Sequence, residues 1–321
     1  MTITGDQIKF YKSIYVNDSL TNGGRIGSEL MADNSLNNLF RNVQSSERES
    51  GITLYRKFFV KNENPNDLAL ENPGFLISNV SSGESYFQVA AGTDQDNQSA
   101  SDDYTNWYGS GYLAENCLSG ESSFLVNCKQ GSGYPSGSLL RISDGLQQAE
   151  VLMLGSASWN GLQATINISG EIGYNFTADE TVISGILPLD DLTPSIANWY
   201  ESSLGGAYDE SSYPVTLYNI GTISESWTLT FTSSTDFTVT GAIVGSLGSG
   251  STANNFVPVN GSSYYFNLDK DGWAGSWVAG DVITFNTVHA ARSVWAKEIV
   301  PVSCGSQAND LCQFKLTGES A

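Results

Sequence analysis

Apolar and polar side chains alternate along much of the chain, most cleanly in its last third. In SWTLTFTS, Trp227, Leu229 and Phe231 alternate with Thr228, Thr230 and Thr232; in DFTVTG, Phe237 and Val239 alternate with Thr238 and Thr240. A period of two sends successive side chains to opposite faces of an extended chain, so both segments read as strands with one buried face. DVITFNT (281–287) and AKEIVPV (296–302) add further strands, and the glycine-rich stretch 245–250 reads as a flexible turn. Upstream, β-branched and aromatic runs at 75–80, 85–91, 104–113, 123–128, 138–143, 150–154 and 162–168 are divided by turn residues. Strands separated by turns every 8–12 residues or so belong to sandwiches and barrels.

The first sixty residues differ. TNGG at 21–24 is a turn, because Asn and Gly tolerate positive φ. Residues 43–49 are the one helical candidate, with Ser45 or Ser46 as its cap and Gly51 as its stop. ITLYRKFFVK (52–61) reads as a strand without a clean face: Ile52, Leu54, Arg56, Phe58 and Val60 on one side, Thr53, Tyr55, Lys57, Phe59 and Lys61 on the other. Such a mixture suits an edge strand guarded by lysine, with a subunit interface as the alternative. Residues 62–74 and 92–103 are polar loops, the second acidic, and the irregular stretch 190–212 holds a domain boundary. The expected architecture is mainly β: an N-terminal arm with a short helix and a first strand (1–61), a β-rich domain (62–212) and an Ig-like sandwich (213–321), both domains being sandwich- or barrel-like. No repeat at solenoid periods is visible.

Charge changes this picture in one respect. Between Arg141 and Lys270 there is no Lys or Arg, while thirteen acidic residues fall in the same stretch. Through Lys61 the balance is reversed, with eight basic residues against six acidic, and the whole chain carries a formal −20. Nucleic-acid readout needs clustered cations to neutralise phosphate, and so is excluded. Trp159, Trp199, Trp227, Phe231, Tyr264 and Phe266 interrupt the acidic stretch, which therefore reads as folded protein with an anionic skin. No apolar run approaches the roughly 18 residues of a membrane-spanning helix. The opening MTITGDQIKFYKS has no apolar segment of secretory type.

Candidate chemistry is sparse. Cys117, Cys128, Cys304 and Cys312 lack the close spacing of a zinc ribbon and read as reduced, half-buried residues; a disulfide within each local pair suits only an oxidising exterior. His289 is the single histidine and there is no G-x-S-x-G elbow, so a structural histidine is expected rather than a general base. In NLDKDG, Asn267, Asp269 and Asp271 place oxygen ligands at alternate positions as a calcium loop does, but Val278 stands where the bidentate Glu belongs. Asp281 is the one nearby replacement; a turn between strands explains the same letters. Acidic residues near Trp159, Trp199, Trp273 and Trp277 would suit a sugar cleft with paired carboxylates, against the simpler reading of core tryptophans under an acidic surface. No phosphate-cradling motif is present. The reading is of a chain without catalytic residues, metal or cofactor.

Longer strings are more telling. IKFYKS (8–13), NGGRIGSE (22–29), NNLFRNVQSSERESGITLYRKFF (37–59), YPVTLYNIGTISESWTLTFTSSTDFTVTG (213–241), YYFNLDKDGWAGSWVAGDVITFNT (264–287) and the final GESA resemble a family of structural proteins from the virions of tailed double-stranded-DNA bacteriophages and Mu-like prophages. The resemblance runs nearly the length of the chain. It departs at His289-Ala290-Ala291, where the family is associated with His-Pro-Ala-Ala. What it implies is a non-enzymatic building block of the particle, assembled in the bacterial cytoplasm. It would be present as a ring of six or twelve copies at the neck, collar, connector or neighbouring tail or baseplate, contacting other virion proteins and no membrane. Capsid decoration and a receptor-binding adhesin are the alternatives, with a glycan hydrolase behind them. In the ring reading, acidic walls let DNA pass without adhering, while the arm, through Arg25, Arg41, Arg48, Arg56 and Lys57, grips an acidic neighbour.

Overall fold

The structure, a computed structural model, describes residues 2–32, 35–308 and 310–321, with backbone alone at Asp102. It is mainly β, built from several antiparallel sheets around three separate cores.

The first core belongs to a base made from early and late segments of the chain. Its five-stranded sheet has the order Gly23–Leu30, Ile8–Tyr15, Ile52–Asn62, Ala291–Val300, Tyr86–Ala91. A three-stranded sheet, Leu187–Pro188, Leu70–Asn79 and Gln313–Ser320, supplies the other layer. Phe58, Val60, Phe75, Ile77, Val89, Val294 and Ala296 fill the space between. Phe10, Phe58, Phe75 and Phe314 meet there with ring centroids 5.5–6.3 Å apart.

This arrangement corrects four expectations. Residues 1–61 are no free arm, because Ile8–Tyr15 and Gly23–Leu30 are strands of the base. The segment 52–61 is no edge: Ile52–Asn62 is the central strand, paired with Ile8–Tyr15 on one side and along ten residues with Ala291–Val300 on the other. Its pattern lacks a clean face because both faces are covered, and Arg56 and Lys57 are buried among partners of their own. Residues 291–321 leave the C-terminal domain and return to the base, drawn by Val294, Trp295 and Ala296, all fully buried. The helix is Ser45–Ser50 with Gln44 as N-cap: the Glu47 carboxylate reaches back to accept from the Gln44 N–H (2.8 Å), a capping box that neither expected serine provides.

Between Tyr86–Ala91 and Leu187–Pro188 the chain forms a second module. Its seven strands follow the order Ser158–Asn160, Gln163–Asn167, Ser123–Asn127, Ser110–Leu113, Val182–Gly185, Leu139–Ser143, Gln148–Leu152. Beyond the last strand the chain bends back. Leu154 N–H donates to Asn167 O and Ser169 N–H to Leu152 O, both at 2.8 Å, so the sheet closes on itself as a small barrel. Phe124, Val126, Leu140, Ile142, Met153, Ile166, Phe176 and Ile183 fill it. Ser184 Oγ donates to Ile77 O (2.5 Å), fixing the barrel wall to the base.

The third module holds a five-stranded sheet in the order Ser195–Ser202, Val282–Val288, Glu225–Phe231, Asp236–Gly241, Gly245–Ser251. Two short pairs, Gly206–Tyr208 with Trp273–Gly275 and Val259–Asn260 with Ser263–Tyr264, complete it. Residues 190–212, where the domain boundary was expected, include Ser195–Ser202 and Gly206–Tyr208 of this module, which therefore starts ahead of residue 213, and 245–250 is an edge strand, not a flexible turn. Hydrogen bonds to Asp236–Gly241 hold that edge, whose one large side chain, Leu247, packs against the third core, with a register shift near Gly248.

Candidate functional site

Polar groups converge where the base meets the third module. The loop after Tyr86–Ala91 turns back on itself as Thr93 donates to Asp96 through both its N–H (2.9 Å) and its hydroxyl (3.0 Å). This presents the Asp96 carboxylate to the base and leaves Asp94 facing the third module. Lys57 Nζ, from the central strand, donates to Asp96 Oδ1 (2.7 Å) and to Gly24 O (2.7 Å). Asp96 Oδ2 accepts from Trp295 Nε1 (2.5 Å) and from the Tyr104 hydroxyl. Burial alone would raise the Asp96 carboxyl, but Lys57, Tyr104 and Trp295 outweigh it and hold it below its ordinary range. Burial pulls the Lys57 ammonium down, against the attraction of Asp96.

Asp94, two residues earlier, crosses to the third module. Its Oδ1 lies 3.0 Å from His289 Nε2, and its Oδ2 accepts from Ser224 Oγ. Here too burial raises the carboxyl while His289, Ser224 and Lys57 together lower it, with a net depression. His289 sits in the two-residue link between Val282–Val288 of the third module and Ala291–Val300 of the base. Ser, Asp and His are thus in contact, but the carboxylate stands in the middle. A nucleophilic triad needs the imidazole between hydroxyl and carboxylate, so this order leaves His289 no hydroxyl to activate. His289 is 3% exposed and its Nδ1 has no hydrogen-bond partner among the described residues. The arrangement is a latch between modules.

A second ionic cluster organises the turn between the first two strands. Asp18 Oδ1 pairs with Arg56 (2.5 Å) and Oδ2 with Arg41 (2.6 Å), and Arg41 also binds Glu47 (2.6 Å). Arg56 further donates to Asn17 O (3.0 Å) and Leu39 O (3.2 Å). Hydrogen bonding to Glu47 and then Asp18 raises the Arg41 guanidinium.

Of the five cations expected to grip a neighbour, the structure therefore spends three inside the subunit: Lys57, Arg56 and Arg41. Arg48 donates to Val43 O (3.0 Å), just ahead of its helix, and to Ser45 Oγ (3.1 Å) on it. Arg25 alone is exposed with neither hydrogen bond nor ion pair among the described residues.

The calcium candidate resolves into turn chemistry. Asp269 caps a short 3-10 turn, Lys270–Gly272, by accepting from Asp271 N–H (2.9 Å), and Asp271 pairs with Lys270 (2.5 Å). Asp281 instead accepts from Ser203 Oγ (2.8 Å) and Val278 N–H (2.9 Å). Among the described residues no three acidic, histidine or cysteine side chains gather as a metal cluster. Cys117 and Cys128 lie in the barrel, where burial pushes their thiols up to about 12 and about 11, while Cys304 and Cys312 lie on the base. Trp199, Trp273 and Trp277 pack in the third core, and Trp159 stacks on Tyr134 at the barrel.

A groove of about 1650 Å³ runs across the base between residues 30–32 and 35–43 on one side and 304–308 and 310–315 on the other. On its floor Glu298 is buried. Burial, reinforced by Asp310 and opposed by Arg41 and Arg56, pushes its carboxyl up to about 7.

Sequence reasoning missed Asp18, Asp94, Asp96 and Ser224. Their only signal was acidic residues in turn-like loops, which is also what a solvated loop looks like. No model of a known protein family matches the chain, and no curated protein matches it in sequence.

Proposed function

We propose that this protein is a structural subunit of a tailed bacteriophage particle, forming a symmetric ring at the neck or collar or in the adjoining tail. The observation that carries the reading is how charge is distributed over the fold. Eleven of the fourteen Lys and Arg belong to the base, whereas residues 104–290, which contain the barrel and the third module, hold three against seventeen Asp and Glu. Those three cations are all engaged. Lys129 donates to the carbonyls of Ser81, Gly83 and Ser85; Arg141 pairs with Gln148; Lys270 pairs with Asp271. Two modules with no free cation face solvent as anionic bodies, a surface that lets DNA pass without counterion release to reward adhesion. The resemblance of the long sequence strings to virion proteins points the same way, and the polar clusters serve to join modules.

Exposed Tyr200, Tyr213 and Tyr264 on the third module favour a second reading, a surface adhesin that stacks sugars on aromatic faces. Copy number separates the two. Electron microscopy and sedimentation of purified protein, with quantitation in purified particles, should give six or twelve copies in a closed ring. Hundreds of copies per particle, or adsorption blocked by a glycan, would move the protein to the outer surface. A monomer absent from particles that turns over a small substrate would refute both.

A further inference from the structure

The turn between Ile8–Tyr15 and Gly23–Leu30 shows Tyr15, Val16 and Leu20 to solvent at 53%, 44% and 65% exposure. A loop with exposed apolar side chains would ordinarily be loose, but this one is fixed. Asp18 is held by Arg41 and Arg56, Asn17 O accepts from Arg56, and Asn22 Nδ2 donates to Tyr55 O (2.8 Å). Two buried or half-buried arginines thus hold an apolar knuckle rigid, which lowers the entropy cost of binding. Arg25, exposed and unpaired among the described residues, stands five residues beyond Leu20 near the start of Gly23–Leu30.

A matching surface lies on the barrel. Leu139 and Leu152 stand opposite each other in register, and Leu154 follows two residues later. All three are at least 40% exposed, while Leu140, Val151 and Met153 between them point inward. The surroundings are acidic: half-exposed Glu150, 3.9 Å from the Arg141 guanidinium, shares the outer side of the strand, and exposed Glu171 lies two residues beyond Ser169, whose N–H donates to Leu152 O, whereas Lys129 and Arg141 are not exposed. Apolar side chains beside a free cation on one surface complement leucines with an acidic rim on the other.

We propose that the knuckle at residues 15–20 docks on the leucine face of the barrel in a second copy of this chain, with Arg25 against its acidic rim. This rests on the ring reading and specifies its contact. Knuckle and leucine face are different surfaces, so the contact is heterologous and repeats head to tail, closing a ring where the rotation allows.

Two variants test it: Val16→Asp with Leu20→Asp removes the knuckle, and Leu152→Asp with Leu154→Asp removes the face. All four positions are exposed, so both proteins should keep the parental near-ultraviolet circular dichroism. Each alone should remain monomeric where the parent assembles, and their mixture should give a one-to-one dimer and nothing larger, since only one knuckle and one face survive. Arg25→Glu, which touches no core position, serves as the second measure: association should weaken roughly tenfold at low salt and approach the parent at high salt. Assembly of either double variant, a mixture that stays monomeric, or an Arg25→Glu protein that associates like the parent overturns the proposal. If the parent assembles and the variants do too, only the docking contact fails; if the parent never assembles, the ring reading fails with it.

Discussion

Replacing Lys57 by Met tests whether this cation belongs to the interior or to an interface. The side chain is 1% exposed and its ammonium has two close partners, Asp96 Oδ1 and Gly24 O. Removing one member of a buried pair leaves the other charged and desolvated, at about 3–5 kcal/mol. Asp96 keeps donors from Thr93, Tyr104 and Trp295, so the lower end of that range applies, about 3 kcal/mol. Adding Asp96→Asn removes the stranded charge, and the double variant should recover at least about 1 kcal/mol relative to the sum of the single changes. Hydrogen exchange of the Ile52–Asn62 amides, measured against denaturant, reports the stability of the base itself. A loss below about 1 kcal/mol for Lys57→Met, or strict additivity in the cycle, would show that the pair contributes little. A variant of parental stability that failed to assemble would return Lys57 to the interface.

Glu298 has an ordinary pKa of 4.5 and is raised to about 7 in the fold. The fold therefore favours the protonated form: the stability it contributes is fully present below the unfolded value and is lost as pH rises through 7. Glu298→Gln should match the parent near pH 4.5 and exceed it by on the order of 1–3 kcal/mol near pH 8, read from denaturation midpoints at the two values; equal midpoints at both would refute the burial argument. At Gly206 a Cβ would come within 2.2 Å of the Trp277 ring, which is stacked on Phe231 at 4.2 Å. Gly206→Ala should cost about 1–3 kcal/mol of third-module stability with altered tryptophan fluorescence, and an unchanged thermal melt would show that the ring can yield.

Strands with one buried face were legible in the sequence. Trp227, Leu229, Phe231, Phe237 and Val239 all lie in the third core, as their alternation requires. Where both faces are covered the alternation vanishes, which is why Ile52–Asn62 looked like an edge. The return of Ala291–Val300 to the base was invisible for a related reason. Periodicity announces that a strand exists but carries no record of its partner, and here the partner is some 240 residues away. Edge strand Gly245–Ser251 escaped notice because it offers a single apolar anchor, Leu247, and is otherwise held by backbone bonds. The latch was the least readable part. Asp94 and Asp96 look like any acids in a polar loop until the fold sets Lys57 and Trp295 beside one and His289 beside the other. Dense cations in the first sixty residues were real, but their purpose was internal neutralisation for Arg41, Arg56 and Lys57.

Pairing between Ile52–Asn62 and Ala291–Val300 also sets a schedule for biosynthesis. At about 5–20 residues per second, ribosomes need roughly ten to fifty seconds to deliver the later strand after the earlier one. The barrel and the third module, each formed from nearly contiguous sequence, can mature during that interval, whereas the aromatic strand must wait for its neighbour. The turn at residues 16–22 depends on Arg56 of that same strand, which holds Asp18 and Asn17. In the ring proposed above, that surface would therefore be complete only once the whole polypeptide had been made.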